Sequence, residues 1–340
     1  MAKKRFVLSG YFGFRNFGDE AILSVLVKKL KEYGHKVTVL SSDPAYTKSK
    51  FKYIRSVNMF KLSDVLWNIS KTDFVISGGG SLLQDVTSLK SLLYYLFIIF
   101  SGLVLGKKVI IFAQGIGPIN TSIGRFLTSI LLKRCVYVSV RDIKSFELLK
   151  SWGINAELLC DPIFSTKVPE VEKQNKIAVQ LRDCKNMNED FIDRLALAVT
   201  NKFSDKMIEI YSFQDSIDLE VCKKFEKAVK LLNSDVKTKI YTGLTDEETI
   251  SNLATSEYII AMRFHALIVG LISEVRVLGI NYDIKVEKLS NEFGFPLIQL
   301  NKRFGNEFEL LEDQDLDVIK AKLMLKDFNW DSFLKIINQG

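Results

Sequence analysis

Short apolar runs rich in β-branched residues recur along the chain with helical stretches between them. The first half carries "RFVLSG", "KVTVLSS", "DFVISGGG", "KVIIFAQG" and "YVSVRD"; the second carries "KIAVQLRD", "MIEIYSF", "KTKIYTG", "YIIAM" and "VRVLGIN". Stretches such as Asp19 to Tyr33 and Asp218 to Leu232 separate them on helical spacing. Strand, helix, strand in repetition predicts parallel sheets covered on both faces. The segment "FSTKVPEVEKQNK", residues 164–176, loses apolar periodicity, carries Pro169 and mixes charges, which is how a linker reads. The expected fold class is therefore α/β, with two doubly wound Rossmann-like domains in series. One spans 1–165. The other spans 175–340 and ends in C-terminal helices from Gln314 onward.

In such sheets ligands sit outside the carboxyl ends of the strands, and two such domains put the expected site in a cleft between those edges. Four strand ends of the first half are chemically loaded: Gly10 to Asp19, Ser77 to Ser81, Gln114 to Pro118, and Arg141-Asp142. Glycines there let backbone N–H groups approach a ligand, and a following helix N-terminus favours anions. A dinucleotide site is disfavoured: Asp43 could imitate the ribose acid, but Gly10, Gly13 and Gly18 miss the G-x-G-x-x-G spacing and Asp19-Glu20 stands where a pyrophosphate needs bare N–H groups. The same acidic pair also reads as a helix cap and dipole match.

The second half concentrates its signal in "IIAMRFHALIVG". Arg263 and His265 follow a strand end at about Ala261, at the mouth of a helix. The other histidine, His35, falls on a helix-to-strand turn and is expected at the opposite sheet edge. The next strand exits into Tyr282-Asp283-Ile284-Lys285, which brings a lysine to the same edge. Arg141, Arg263, His265 and Lys285 together suit a compact ligand carrying carboxylate and phosphate.

Composition narrows the picture little. The 340 residues, 47% hydrophobic, suffice for two ordinary cores, and a net charge of +7 is too small and scattered to argue for nucleic acid. It suits anionic substrates or an anionic membrane surface. Cys135, Cys160, Cys184 and Cys222 show no C-x-x-C spacing, so neither a metal site nor a disulfide framework is expected, and a reducing cytosol fits best. The N-terminus breaks at Gly10 before a signal-peptide core forms, so nothing marks the chain for export. The uncharged run Leu92 to Leu105 is too short to span a bilayer. It reads either as a buried or domain-surface helix or as one whose aromatic face rests on a membrane.

The segments "GYFGFRNFGDEAIL", "SGGGSLLQDVTS", "AQGIGP", "VRD", "MRFHAL" and "NYDIKVEKL" resemble the polysaccharide pyruvyl transferase family over about residues 8 to 290. They are most similar to the bacterial cell-wall branch that modifies the polymer anchoring surface-layer proteins. The resemblance implies a fold like that of two-domain GT-B glycosyltransferases. It implies transfer of pyruvate as a ketal from phosphoenolpyruvate to N-acetylmannosamine in a lipid-diphosphate-linked amino sugar disaccharide, at the inner membrane face. It implies no cofactor, phosphoenolpyruvate being a co-substrate. Arg141, Arg263 and His265 would then bind phosphoenolpyruvate, with Lys285 also in the site. The acceptor side would use Gly13, Asn16, Asp19, Gly79, Gly80, Gln84, Asp85 and Gln114. The chain departs from the family pattern at Phe264, Arg15 and Phe17.

On this reading His265, with an unperturbed pKa of about 6.5, is the general acid. Lys285 either neutralises the leaving phosphate or assists proton transfer. Asp19 or Asp85 either deprotonates an acceptor hydroxyl or acts as a cap or loop brace. The competing readings are a nucleotide-sugar glycosyltransferase on the same fold and a non-catalytic polymer-binding protein.

Overall fold

The computed structural model describes residues 3–326 and 328–339. The chain divides into two compact units, Met1–Ser165 joined by Phe328–Gly340, and Thr166–Asp327. In the first unit β1 (Arg5–Ser9), β2 (Lys36–Ser41), β3 (Arg55–Asn58), β4 (Phe74–Gly78), β5 (Lys108–Gln114), β6 (Tyr137–Val140) and β7 (Glu157–Leu158) form one parallel sheet in the order β3-β2-β1-β4-β5-β6-β7. In the second, β8 (Lys176–Gln180), β9 (Met207–Tyr211), β10 (Thr238–Tyr241), β11 (Tyr258–Ala261), β12 (Arg276–Asn281) and β13 (Leu297–Gln299) form another, ordered β10-β9-β8-β11-β12-β13.

Both orders reverse direction once, between β1 and β4 and between β8 and β11. That switch point is where a doubly wound sheet opens a crevice for ligands. The central strands are buried on both faces, as helix-covered parallel strands must be; Phe6, Val7, Leu8, Val75, Ile76 and Val109 are all sealed from water. Helices pack closely where small residues allow. At Gly102 an added Cβ would come within 2.8 Å of Val109 and 3.2 Å of Val75, so the helix Leu89–Val104 lies directly on the sheet. The run from Leu92 is thus one face of a sheet-covering helix, with Leu92, Leu96 and Ile99 inward. Among the described residues no helix is long and apolar enough to cross a membrane.

The C-terminal helices divide between the units, which differs from the expected second domain running to residue 340. Helix Leu316–Met324 stays with the second unit, whereas Asp331–Gln339 returns to the first. Phe112 on β5 explains the return. Its ring meets those of Phe328, Trp330 and Phe333 at 5.5, 5.4 and 5.1 Å. Burying Phe328 and Phe333 is worth roughly 3–6 kcal/mol together, enough to tie down a terminal segment.

Candidate functional site

In the second unit the switch point is built around Gln180, the last residue of β8. Its carbonyl accepts from the Met262 N–H (3.0 Å) and its side-chain Oε1 from the Arg263 N–H (2.8 Å), which pins the chain just past β11. Arg263 then turns its guanidinium inward. Nε donates to Asp218 Oδ2 at 3.2 Å, Nη2 to Asp218 Oδ1 at 2.7 Å, and Nη2 also reaches Gln214 Oε1 at 3.5 Å. Asp218 further accepts from the N–H groups of Phe213 and Gln214. Burial pushes its carboxyl above the usual range while Arg263 pulls it back. Arg263 thus enters the site as half of a buried ion pair, where the sequence reading gave its fork to a donor anion.

His265 is the second residue of the helix Phe264–Ile272 and is partly buried, its ring 5.4 Å from that of Phe264. That helix has no side-chain cap, so its N-terminus is open to an anion in character. β12 pairs directly with β11, Ala261 opposite Gly279. The helix Ile284–Phe293 therefore starts beside the one carrying His265. Asp283 caps it by accepting from the Lys285 N–H (3.0 Å), which fixes exposed Lys285 at the same edge. Arg182, just past β8, stacks its guanidinium 5.6 Å from the Tyr282 ring. Burial raises the Tyr282 hydroxyl pKa against the pull of Arg182 and Arg263. One edge of this unit thus gathers Arg182, Arg263, His265 and Lys285.

The first unit builds a polar cluster at its own switch point. Asn16 Nδ2 donates to Asp19 Oδ2 at 2.8 Å, and Asp19 is buried in the first turn of the helix Phe17–Glu32. Gly80, with φ +60°, presses its backbone on the same carboxylate: an added Cβ would lie 2.6 Å from Asp19 Oδ1. Gly79 packs its backbone over Ile22. The next residue, Ser81, accepts from Arg141 Nη2 (3.3 Å), and Arg141 Nη1 is paired with buried Asp161. Asn16, Asp19, Gly80, Ser81 and Arg141 therefore form one connected set.

Other expected acceptor residues serve the frame. Gly13, with φ +81°, is required by the fold, because a Cβ there would meet Ser41 Oγ at 2.1 Å and the Asp43 N at 2.6 Å. Its N–H donates to Glu20 Oε1 (2.7 Å), and the neighbouring Arg15 pairs with Asp43 and lies over the Tyr46 ring. Gln114 is sealed from water and donates to Ser77 Oγ. Gln84 closes its own turn, accepting from the N–H groups of Val86 and Thr87. Asp85 is a loop brace: Oδ1 accepts from the Asn120 N–H (2.7 Å) and Oδ2 from the Thr121 N–H (2.8 Å) and hydroxyl (2.7 Å). These bonds hold its carboxyl below the usual range. His35 is buried before β2, at the edge opposite the strand carboxyl ends, where desolvation lowers its pKa.

Sequence reasoning missed Gln180, Arg182, Asp161 and Asp218. Gln180 and Arg182 were open to the rule that picked Arg263, since they sit at the end of "KIAVQLRD". Asp161 and Asp218 carry no local signal, for each finds its arginine across a long sequence gap.

A family model described as polysaccharide pyruvyl transferase matches residues 16–284. No curated protein matches the chain. Solved structures match it in fold. UDP-GlcNAc 2-epimerase from Methanocaldococcus jannaschii is similar with a TM-score of 0.64 and 14% identity, covering 100% of each chain. A glycosyltransferase from Rickettsia africae gives 0.63 and 14%, covering 100% of this chain and 98% of its own. Anabaena Alr3699/HepE, solved with UDP-glucose, gives 0.63 and 10%, covering 99% of this chain and 98% of its own. At such identities the likeness speaks for the two-domain Rossmann-like fold alone.

Proposed function

The chain belongs to the polysaccharide pyruvyl transferase family, and from that premise we propose that it transfers pyruvate as a ketal from phosphoenolpyruvate to N-acetylmannosamine in a lipid-diphosphate-linked cell-wall polysaccharide precursor, releasing phosphate. The cell-wall branch, the cytoplasmic setting at the inner membrane face and the lipid-linked disaccharide belong to this reading. The observation that carries it is the gathering of Arg182, Arg263, His265 and Lys285 at the carboxyl edge of β8, β11 and β12.

Phosphoenolpyruvate carries about −2.5 to −3 near neutral pH, one carboxylate plus a phosphate of about −1.5 to −2. Several fixed cations and an uncapped helix N-terminus answer that charge. The Arg263 bonds to Asp218 and Gln214 use its Nε and Nη2 protons, so the donor carboxylate takes the pair on Nη1. Lys285 meets the phosphate. His265 delivers a proton to the enol methylene, making it a methyl group, as the first acceptor hydroxyl adds to the carbon bearing oxygen. The second hydroxyl then displaces phosphate and closes the ketal. Of the two hydroxyl protons, one balances that given by His265 and the other leaves with phosphate. In the first unit Asn16 and Asp19 receive the acceptor sugar, and Arg141, which the resemblance assigns to phosphoenolpyruvate, is paired with Asp161 and holds the Ser81 loop in place.

Incubation with labelled phosphoenolpyruvate, and separately with a labelled UDP-sugar, tests the reading. Label from phosphoenolpyruvate in a lipid-extractable product supports it. Label from the UDP-sugar alone supports nucleotide-sugar glycosyl transfer, the reading favoured by likeness to a protein solved with UDP-glucose. Sugar binding without turnover of either donor supports a binding protein.

A further inference from the structure

Three helices lie side by side on the first unit: Leu89–Val104 in the middle packs against both Leu62–Ser70 and Ser122–Leu132. A helix covering a sheet ordinarily turns charged and polar residues to water. The middle helix does not. While Leu92, Leu96 and Ile99 face the core, the outward positions are Leu93, Phe100 and Val104, with half-buried Phe97 between them. Phe100 is 51% exposed and Val104 66%. The flanking helices continue the pattern with Trp67 at 52% and Phe126 at 62%, joined by exposed Leu66 and Ile123.

The charges around these side chains are predominantly positive. The helices Leu89–Val104 and Ser122–Leu132 contain no Asp or Glu, and their charged residues are exposed Lys90 and Arg125. Lys107 and Lys108 follow the first, and Lys133 and Arg134 follow the second. On the third helix Asp64 is matched by Lys61 at 3.1 Å.

We propose that this three-helix face is the surface by which the protein rests on an anionic phospholipid bilayer. Aromatic and aliphatic side chains enter the boundary between headgroups and acyl chains, and the lysines and arginines meet lipid phosphates. A second copy of the chain fits the face less well, because two basic rims would be brought together. The middle helix begins just past the loop that holds Gly80 and Asp85 after β4. Asp85 is bonded to Asn120 and Thr121 at the start of the helix Ser122–Leu132. The proposal stands on the exposed face and its charge, independently of the reaction.

Flotation of the full chain with phosphatidylglycerol/phosphatidylcholine vesicles and with phosphatidylcholine vesicles, at low and high salt and without donor or acceptor, tests it. The protein is expected to float with the anionic vesicles at low salt and to be largely released by high salt. Phe100→Ser with Phe126→Ser, both at exposed positions, should weaken binding at least about tenfold with an unchanged melting curve. Lys90→Glu with Arg125→Glu should weaken anionic binding alone, and keeps the question open to an answer if the serine variant folds poorly. The proposal is overturned if the wild-type chain stays free of anionic vesicles at every salt concentration, or if both variants bind as wild type does. A concentration-dependent dimer in sedimentation velocity that the serine variant abolishes, without vesicle binding, also overturns it and assigns the face to a second copy.

Discussion

Asp218 grips Arg263 through both carboxylate oxygens, at 2.7 and 3.2 Å, with the Asp218 side chain wholly buried and that of Arg263 nearly so. The pair ties the helix after β9 to the start of the helix after β11, and so fixes where His265 sits. Breaking such a pair leaves one charge buried and uncompensated, at a cost of about 3–5 kcal/mol. Asp218→Ala is therefore expected to lower the urea midpoint strongly. Arg263→Lys, which keeps the charge and loses the fork, should unfold less readily than Asp218→Ala yet raise the phosphoenolpyruvate KM. An Asp218→Ala chain as stable as wild type would contradict this.

The glycines of the first unit differ in what surrounds them. At Gly13 a Cβ would strike Ser41 Oγ and the backbone nitrogen of Asp43, whereas at Gly106, also left-handed with φ +66°, nothing lies within 4 Å. Gly106→Ala should cost only the left-handed strain, about 1 kcal/mol. Gly13→Ala adds a collision with fixed backbone and should melt far lower or fail to fold. Equal melting temperatures for the two variants would show that the loop yields.

The Asp85 brace gives a pH dependence whose sign is set by its carboxyl. Bonds from Asn120 and Thr121 depress the folded-state pKa, so the brace stabilises fully above the ordinary carboxylate value, about 4. Its contribution fades as pH falls through that value and through the lower folded pKa. The stability gap between wild type and Asp85→Asn should be constant near neutrality and shrink in acid. A gap that widens in acid would contradict the assignment.

His265 is separable into three roles. As the proton donor, His265→Gln should lose about 10²- to 10⁴-fold in turnover at saturating substrates, with donor affinity changed much less. A structural residue would lower the melting temperature and spare the turnover of folded enzyme. A purely ligand-binding one would raise the donor KM and spare turnover at saturation.

The sheet was legible because buried parallel strands are written as continuous β-branched runs, and strand ends follow from strands. Thus the sequence itself traces Arg263, His265 and Lys285 to one edge of the second unit. The edge strands β3, β7 and β13 were not legible, being two to four residues long with little apolar signal. Nor was the return of Phe328 and Phe333 to Phe112, a contact made across most of the chain. Gly13 shows the limit of motif reading. A glycine beside a strand end reads as room for a ligand, whereas Gly13 is needed because Ser41 and Asp43 fill the Cβ direction. Asp161 and Asp218 were invisible for the same physical reason: pairing across elements depends on three-dimensional approach, which local spacing does not encode.

In the proposed reaction the enol methylene of the donor gains a proton as the ketal forms. Turnover with phosphoenolpyruvate and the lipid-linked acceptor in heavy water, followed by mass spectrometry of the isolated sugar after back-exchange into ordinary water, reads that step directly. One non-exchangeable deuterium is expected in a new methyl group for each pyruvate transferred. A product of the same composition carrying no deuterium would be an enol ether made by simple displacement, and a product that has gained a sugar and no pyruvate would be glycosyl transfer; either contradicts the proposed reaction.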